Sequence, residues 1–158
     1  MPGQTRFYSI VKCGNIYRMS ETTKHTGGCL CGAVRYEATG DPVMAGYCYC
    51  KDCQKASGSG FIPFMGFAAS AVRFTGQTLQ FASKSARGGD AVRNSCPLCG
   101  GLVFGGIVGR DDSHTIYAGS LDDPSLFKPS IAINTAEAPA WTPIPPGLIE
   151  FKAMPPGR

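Results

Sequence analysis

Short apolar runs separated by turn residues extend along most of this chain, a pattern typical of β-strands rather than of long helices. The clearest case is residues 33–38, where Val34, Tyr36 and Ala38 alternate with charged side chains as in a half-buried strand. Similar runs predict further strands at residues 43–50, 60–67, 71–74, 78–83, 91–94, 102–107, 115–118, 130–135 and 148–152. The pattern therefore predicts a mainly β domain that is rich in hairpins and contains no internal repeat.

Two segments depart from this pattern. Residues 51–57 contain neither Gly nor Pro and predict one or two helical turns, which end at Gly58. Residues 1–25 are polar and show no sustained periodicity. We expect them to form a mobile N-terminal extension ahead of a single domain at residues 26–158.

The amino-acid composition limits the functions that the chain could have. With 158 residues the chain is long enough to bury a core in one domain, and its 21 glycines and 12 prolines agree with a turn-rich β fold. The net charge of +4 comes from scattered Lys and Arg residues, so the sequence predicts no nucleic-acid binding. The longest uncharged stretch, residues 56–72, is interrupted by Gly and Pro and is too short to cross a bilayer, so we expect no membrane segment.

Cysteine spacing is the strongest chemical signal in the sequence. Seven of the eight cysteines fall into three tight clusters, at residues 29–31, 48–53 and 96–99. A tetrahedral Zn²⁺ takes sulfur ligands at about 2.3 Å, so closely spaced cysteines suit it when the fold brings two segments together. A disulfide framework is the alternative. Residues 1–20 lack the apolar run of a signal peptide, which favours a cytoplasmic location, reduced thiols and metal binding.

The spacing also suggests how seven thiols divide between two zinc ions per chain. The first and third clusters can close one site, which we interpret as structural and name the four-thiol group: Cys29, Cys31, Cys96 and Cys99. The second cluster lacks a fourth ligand nearby, as in a catalytic zinc site with an open position, and we name it the thiol trio: Cys48, Cys50 and Cys53. The alternative for the thiol trio is a second structural zinc that Cys13 or a distant His completes.

Five segments give the chain a resemblance to a known family. They are GCLCGAVRY at residues 28–36, CYCKDCQKASG at 48–58, CPLCG at 96–100, AGSLDDP at 118–124 and APAW at 138–141. With them the chain resembles short members of the glutathione-dependent formaldehyde-activating enzyme (GFA) family, whose relatives include the centromere protein V type. The resemblance implies stacked antiparallel sheets related to the Mss4-like zinc proteins, a structural Cys₄ zinc, a catalytic Cys₃ zinc divided as above, and a small thiol such as glutathione as partner.

The chemistry of three thiolates agrees with that implication. Zinc held by three thiolates carries one net negative charge, so it is a weak Lewis acid and is poorly suited to making hydroxide. Its open position suits a fourth sulfur, and coordination deprotonates a thiol. The leading hypothesis is therefore a carbon–sulfur lyase that forms or cleaves an S-hydroxymethyl thiol.

Other residues are candidates for supporting roles. Those beside the thiol trio are candidates for contacts with its ligands or with substrate: Lys51, Asp52, Gln54, Lys55 and Ser57. His25 and His114 are the two histidines, and they are the candidate catalytic bases.

Two other functions remain open at this stage. A zinc scaffold that binds a protein partner would need no open coordination position. An oxidoreductase of the methionine sulfoxide reductase B type would need a lone reactive cysteine, and only Cys13 is available.

Overall fold

The computed structural model describes residues 23–85 and 88–156 and confirms a mainly β chain. Cys13 and nearly all of the expected N-terminal extension lie outside the described residues. The elements are β1 Lys24–Gly28, β2 Arg35–Thr39, β3 Met44–Cys48, α1 Lys51–Ser57, β4 Ile62–Ala68, β5 Val72–Thr75, β6 Leu79–Lys84, β7 Asp90–Ser95, β8 Leu102–Gly105, β9 Ser113–Tyr117, β10 Ile131–Ile133 and β11 Ile149–Glu150, with four short 3₁₀ turns.

The strands form two sheets. A 3-stranded antiparallel sheet has the order β1-β2-β5, and an 8-stranded sheet has the order β11-β10-β3-β4-β9-β8-β7-β6. Most neighbouring pairs are antiparallel, as expected of a chain rich in hairpins. In the described residues, β10 lies parallel to both β3 and β11, and the long connections before and after β10 allow this arrangement.

The main core lies between the two sheets. Tyr36 and Ala38 of β2 are buried there while Glu37 is exposed, which confirms the alternation seen in the sequence. Phe74 of the small sheet stacks on Phe104 of the large sheet with ring centroids 3.8 Å apart. Apolar side chains from both sheets therefore hold one face of the large sheet against the small sheet.

Strand β1 was not among the predicted strands, because its residues show no apolar alternation. Its buried positions are filled by His25 and Gly27. The His25 ring packs on Phe67, and its Nε2 lies 3.1 Å from the carbonyl oxygen of Gly40. A Cβ atom at Gly27 would collide with the Tyr36 ring. The strand is thus specified by tertiary packing that no local pattern records.

Helix α1 spans the residues that the sequence predicted. Cys50 caps its N-terminus, since the Sγ atom accepts a hydrogen bond of 3.4 Å from the Cys53 amide. Gly58 ends the helix in the left-handed conformation, with φ of 66°. No helix in the described part of the chain is long and apolar enough to cross a membrane.

The second face of the large sheet carries a smaller apolar cluster. Ile62, Phe64 and Ile133 contribute to it beside cysteine side chains. The C-terminal segment covers part of this cluster with Phe151 and Met154, and the Phe151 amide donates to the Ala132 carbonyl at 2.8 Å to hold it there. The sheet therefore separates two layers, and each layer adjoins one of the cysteine groups.

Candidate metal centres

The four-thiol group forms where two connections meet. Cys29 and Cys31 follow β1, whereas Cys96 and Cys99 lie between β7 and β8. All four sulfur atoms lie within 4.8 Å of one another, and the Sγ of Cys31 is 3.7 Å from those of Cys29 and Cys96. Four sulfurs bound tetrahedrally at about 2.3 Å from zinc stand about 3.8 Å apart. The thiols present here fit that ion.

Backbone amides stabilise the charged form of these thiols. The Val34 amide donates to Cys29 Sγ at 3.2 Å, and the Leu98 amide donates to Cys96 Sγ at 3.4 Å. Desolvation raises the pKa of Cys29, but the Val34 amide and the neighbouring thiols outweigh it and lower that pKa to about 6. A metal requires thiolates, so these amides favour the binding form.

The thiol trio lies at the junction of β3 and α1. Cys48 ends the strand, Cys50 caps the helix, and Cys53 lies in its first turn. Their sulfur atoms also lie within 4.8 Å of one another, and no further His, Cys, Asp or Glu of the described residues joins them. Cys48 and Cys53 are buried and Cys50 is partly exposed. Three soft donors with one accessible side suit a zinc ion that keeps an open position.

The three thiols of the trio differ in pKa. Hydrogen bonds from Cys48 and then Cys53 lower the pKa of Cys50 to about 2. The contacts with Cys48 and Cys50 raise the pKa of Cys53. These contacts favour the thiolate form at Cys50 over the other two sulfurs. The remaining protons of the thiol trio are those that a divalent ion would displace.

Two side chains that the sequence analysis missed donate to the thiol trio. Asn134 Nδ2 lies 3.4 Å from Cys48 Sγ, and Arg93 Nη2 lies 3.8 Å from Cys53 Sγ. Asn134 has a φ of 56°, and it is the only residue other than Gly with positive φ in the described ranges. Because the two donors lie 86 and 40 residues from the cysteines they contact, local spacing gives no signal for them.

Two of the predicted neighbours hold α1 in place. Gln54 Nε2 donates to the carbonyl oxygens of Tyr49 and Glu137 at 2.6 and 2.9 Å. Ser57 Oγ donates to the Cys53 carbonyl at 2.8 Å. These contacts fix the helix, and with it the position of the cysteine thiols.

A cavity of about 580 Å³ lies beside the thiol trio, within the size range of small-molecule sites. Ile62 and Tyr117 belong to its wall, and Lys51 and Asp52 belong to its rim. Lys55 is exposed and does not line this cavity. Of the residues predicted beside the cysteines, Lys51 and Asp52 are therefore the ones that a bound molecule could reach.

The two histidines belong mainly to the core. His25 packs on Phe67 in the sheet interface. The His114 ring lies edge-on to Phe74, with centroids 5.2 Å apart, although the residue also borders the cavity. Both residues are about 3% exposed. Of the two histidines, only His114 lines the cavity, so only His114 stays a candidate base for a molecule bound there.

Comparison with known proteins identifies the family. A family model described as glutathione-dependent formaldehyde-activating enzyme matches residues 24–137, which include both cysteine groups. A crystal structure of a Rhodobacter sphaeroides protein is similar with a TM-score of 0.48 and 16% sequence identity, over 80% of this chain and 98% of that chain. No curated protein matches. Because the family model matches most of its length, the chain belongs to the glutathione-dependent formaldehyde-activating enzyme family.

Proposed function

We propose that this protein is a zinc-dependent carbon–sulfur lyase that forms or cleaves the adduct of a small thiol, such as glutathione, with formaldehyde. The family is enzymatic and is described by glutathione-dependent formaldehyde activation. The observation that carries the proposal is the thiol trio, three convergent sulfurs that open onto a cavity of small-molecule size. A scaffold that only binds a protein partner would need neither the open side nor the cavity.

Two zinc ions per chain follow from the two groups of thiols. The four-thiol group would hold a structural ion, because all four tetrahedral positions are filled by protein sulfur. The thiol trio would hold the working ion. When bound there, zinc would favour the thiolate form of an added thiol and hold its sulfur at the open side.

Residues of the chain orient the three sulfurs. Asn134, Arg93 and the Cys53 amide each donate to a different sulfur of the thiol trio. Such donors fix the direction of each sulfur and reduce its reactivity toward the aldehyde. Ile62 adds an apolar surface that excludes water from the reacting thiol.

Tyr117 is suited to hold the aldehyde oxygen. It packs against the cluster that contains the thiol trio, and no described residue hydrogen-bonds its hydroxyl. A Cβ atom at Gly105 would lie 3.1 Å from Tyr117 Oη, so the missing side chain leaves that hydroxyl room. Burial raises the pKa of Tyr117, which keeps the hydroxyl protonated and able to donate at neutral pH.

The reaction then balances without another reagent. The thiolate sulfur adds to the aldehyde carbon, and the electron pair of the C=O π bond moves to the oxygen. That oxygen takes the proton from Tyr117 Oη, and the proton released by the next thiol restores the hydroxyl. Cleavage of the adduct follows the same steps in reverse.

Replacing Tyr117 with Phe is expected to slow the reaction about a hundredfold, the usual contribution of a positioned acid. Zinc content and thiol binding should stay unchanged, because the substitution removes only the oxygen. Tyr36→Phe is the matched control, since the Tyr36 hydroxyl bonds Ser120 at 3.1 Å and does not line the cavity. Full activity of Tyr117→Phe would show that another group protonates the oxygen.

The proposed reaction can be measured directly by exchange NMR. With glutathione and ¹³C-formaldehyde, the protein should accelerate exchange between free and thiol-bound formaldehyde in proportion to its concentration. Removing the metal with a chelator should abolish the acceleration, and cysteine and other small thiols can replace glutathione to define the substrate. If no thiol shows acceleration with the zinc-loaded protein, the zinc scaffold becomes the better interpretation.

A further inference from the structure

Arg93 is a buried cation that pairs with no carboxylate of the described residues. The residue is 9% exposed, and it takes part in none of the four ion pairs of the described residues. Its Nε atom is buried without a hydrogen-bond partner. A charge in a protein interior is costly unless an opposite charge compensates it. The position of Arg93 therefore requires an anion nearby.

The contacts of Arg93 point to the thiol trio as that anion. Its Nη2 donates to Cys53 Sγ at 3.8 Å, and its Nη1 donates to Ser83 Oγ at 3.0 Å. Ser83 in turn donates to Asp52 Oδ2 at 3.0 Å, so the nearest carboxylate in this network is reached only through a hydroxyl. Ser83 thereby fixes the guanidinium beside the sulfur.

The four-thiol group provides an internal comparison. Its sulfurs accept hydrogen bonds from the backbone amides of Val34 and Leu98, and no cationic side chain of the described residues donates to them. Arg35, whose charge interacts with Cys29 of that group, is paired with Asp122. A closed centre has no need of a further anion, whereas an open centre that must accept one benefits from a fixed positive charge.

We propose that Arg93 makes the open side of the thiol trio select an anionic ligand over a neutral one, and so sets the affinity for the thiolate form of the substrate. This inference rests on the proposed function. Three thiolates and one divalent ion leave one net negative charge, which Arg93 balances. A second anion can then bind without leaving the buried site with two uncompensated charges.

The test is ligand binding to the protein with Co²⁺ in place of zinc, followed by visible absorption. Azide serves as the anionic probe and imidazole as the neutral one. Arg93→Met, which keeps the length of the side chain and removes its charge, should weaken azide binding tenfold or more, the size of effect that an adjacent opposite charge has on an ionisation. Imidazole binding should change less than about threefold, because it has no net charge to balance.

Arg93→Lys keeps the charge and should retain azide affinity within about threefold of wild type. The azide affinity of Arg93→Lys therefore tests the inference even if Arg93→Met does not fold. Equal losses of azide and imidazole affinity in Arg93→Met, a tenfold loss of azide affinity in Arg93→Lys, or a wild-type protein that binds neither probe would overturn the inference. Neither probe takes part in the thiol reaction, so the two experiments can fail independently. Failure of the formaldehyde exchange would refute the proposed function, whereas azide binding would still test the role of Arg93.

Discussion

Cys99→Ser is expected to abolish the soluble, folded protein. Cys99 supplies one of four thiols that join the connection after β1 to the connection between β7 and β8. The group therefore ties the small sheet to the large one. A structural zinc contributes about 10 kcal/mol or more to small zinc domains, which equals the whole unfolding free energy of a typical domain. Soluble yield, thermal unfolding and zinc per chain by elemental analysis measure the effect, with two zinc expected for wild type.

Leu98→Ser is the matched control for that substitution. Leu98 lies next to Cys99, is 79% exposed and leaves all four thiols in place when it is replaced. We expect its yield, melting temperature and zinc content to equal those of wild type, since exposed substitutions change stability by less than about 0.5 kcal/mol. A folded Cys99→Ser protein that still carries two zinc ions would contradict the structural role of the four-thiol group.

Local signals in the sequence were sufficient for the helix and for most strands. The bounds of α1 follow from the absence of Gly and Pro in residues 51–57 and from Gly58 at its end, and the structure adds Cys50 as the N-cap. The alternation around Tyr36 gives β2 and the face that it buries. In each case the determining atoms lie within a few residues of the element, which is why the pattern can be read along the chain.

Features that depend on distant parts of the chain could not be predicted from local sequence patterns. Strand β1 owes its burial to His25 and Gly27, which fit against Phe67 and Tyr36 only after the sheets pack. The parallel pairing of β10 with β3 and β11 depends on where the C-terminal third returns to the sheet. Neither property has a local pattern, because the partner strands are far away in sequence.

The candidate site likewise combines residues that local spacing predicts with residues that only the fold brings together. Cysteine spacing predicted the two groups of thiols that the structure brings together, since each metal-binding pair lies within one short segment. The groups around the thiol trio, namely Arg93, Asn134 and Tyr117, come from three separate strands or turns. A neutral amide, a guanidinium and a phenol have no characteristic spacing to a cysteine cluster. Only the fold identifies them.

The second large effect is expected from Cys50→Ser, which should remove the proposed catalytic zinc and leave the fold intact. Cys50 is the N-cap of α1, and its Sγ accepts the amide of Cys53. Serine is among the preferred N-cap residues, so its hydroxyl can replace that hydrogen bond. The same change removes a thiolate ligand from the thiol trio. We expect zinc to fall from two ions per chain to one, while the melting temperature stays within a few degrees of wild type.

The same variant separates the enzyme from the scaffold. With only two thiolates left in the thiol trio, formaldehyde exchange should fall to the rate without protein, while Leu98→Ser should keep the wild-type rate. The contrast with Cys99→Ser is the critical comparison, because both variants exchange one sulfur for oxygen and only one of them lies in the group that joins the sheets. If Cys50→Ser unfolds as completely as Cys99→Ser, the thiol trio is a second structural site. If Cys50→Ser folds, loses one zinc and still accelerates the exchange, the catalytic centre lies elsewhere in the protein.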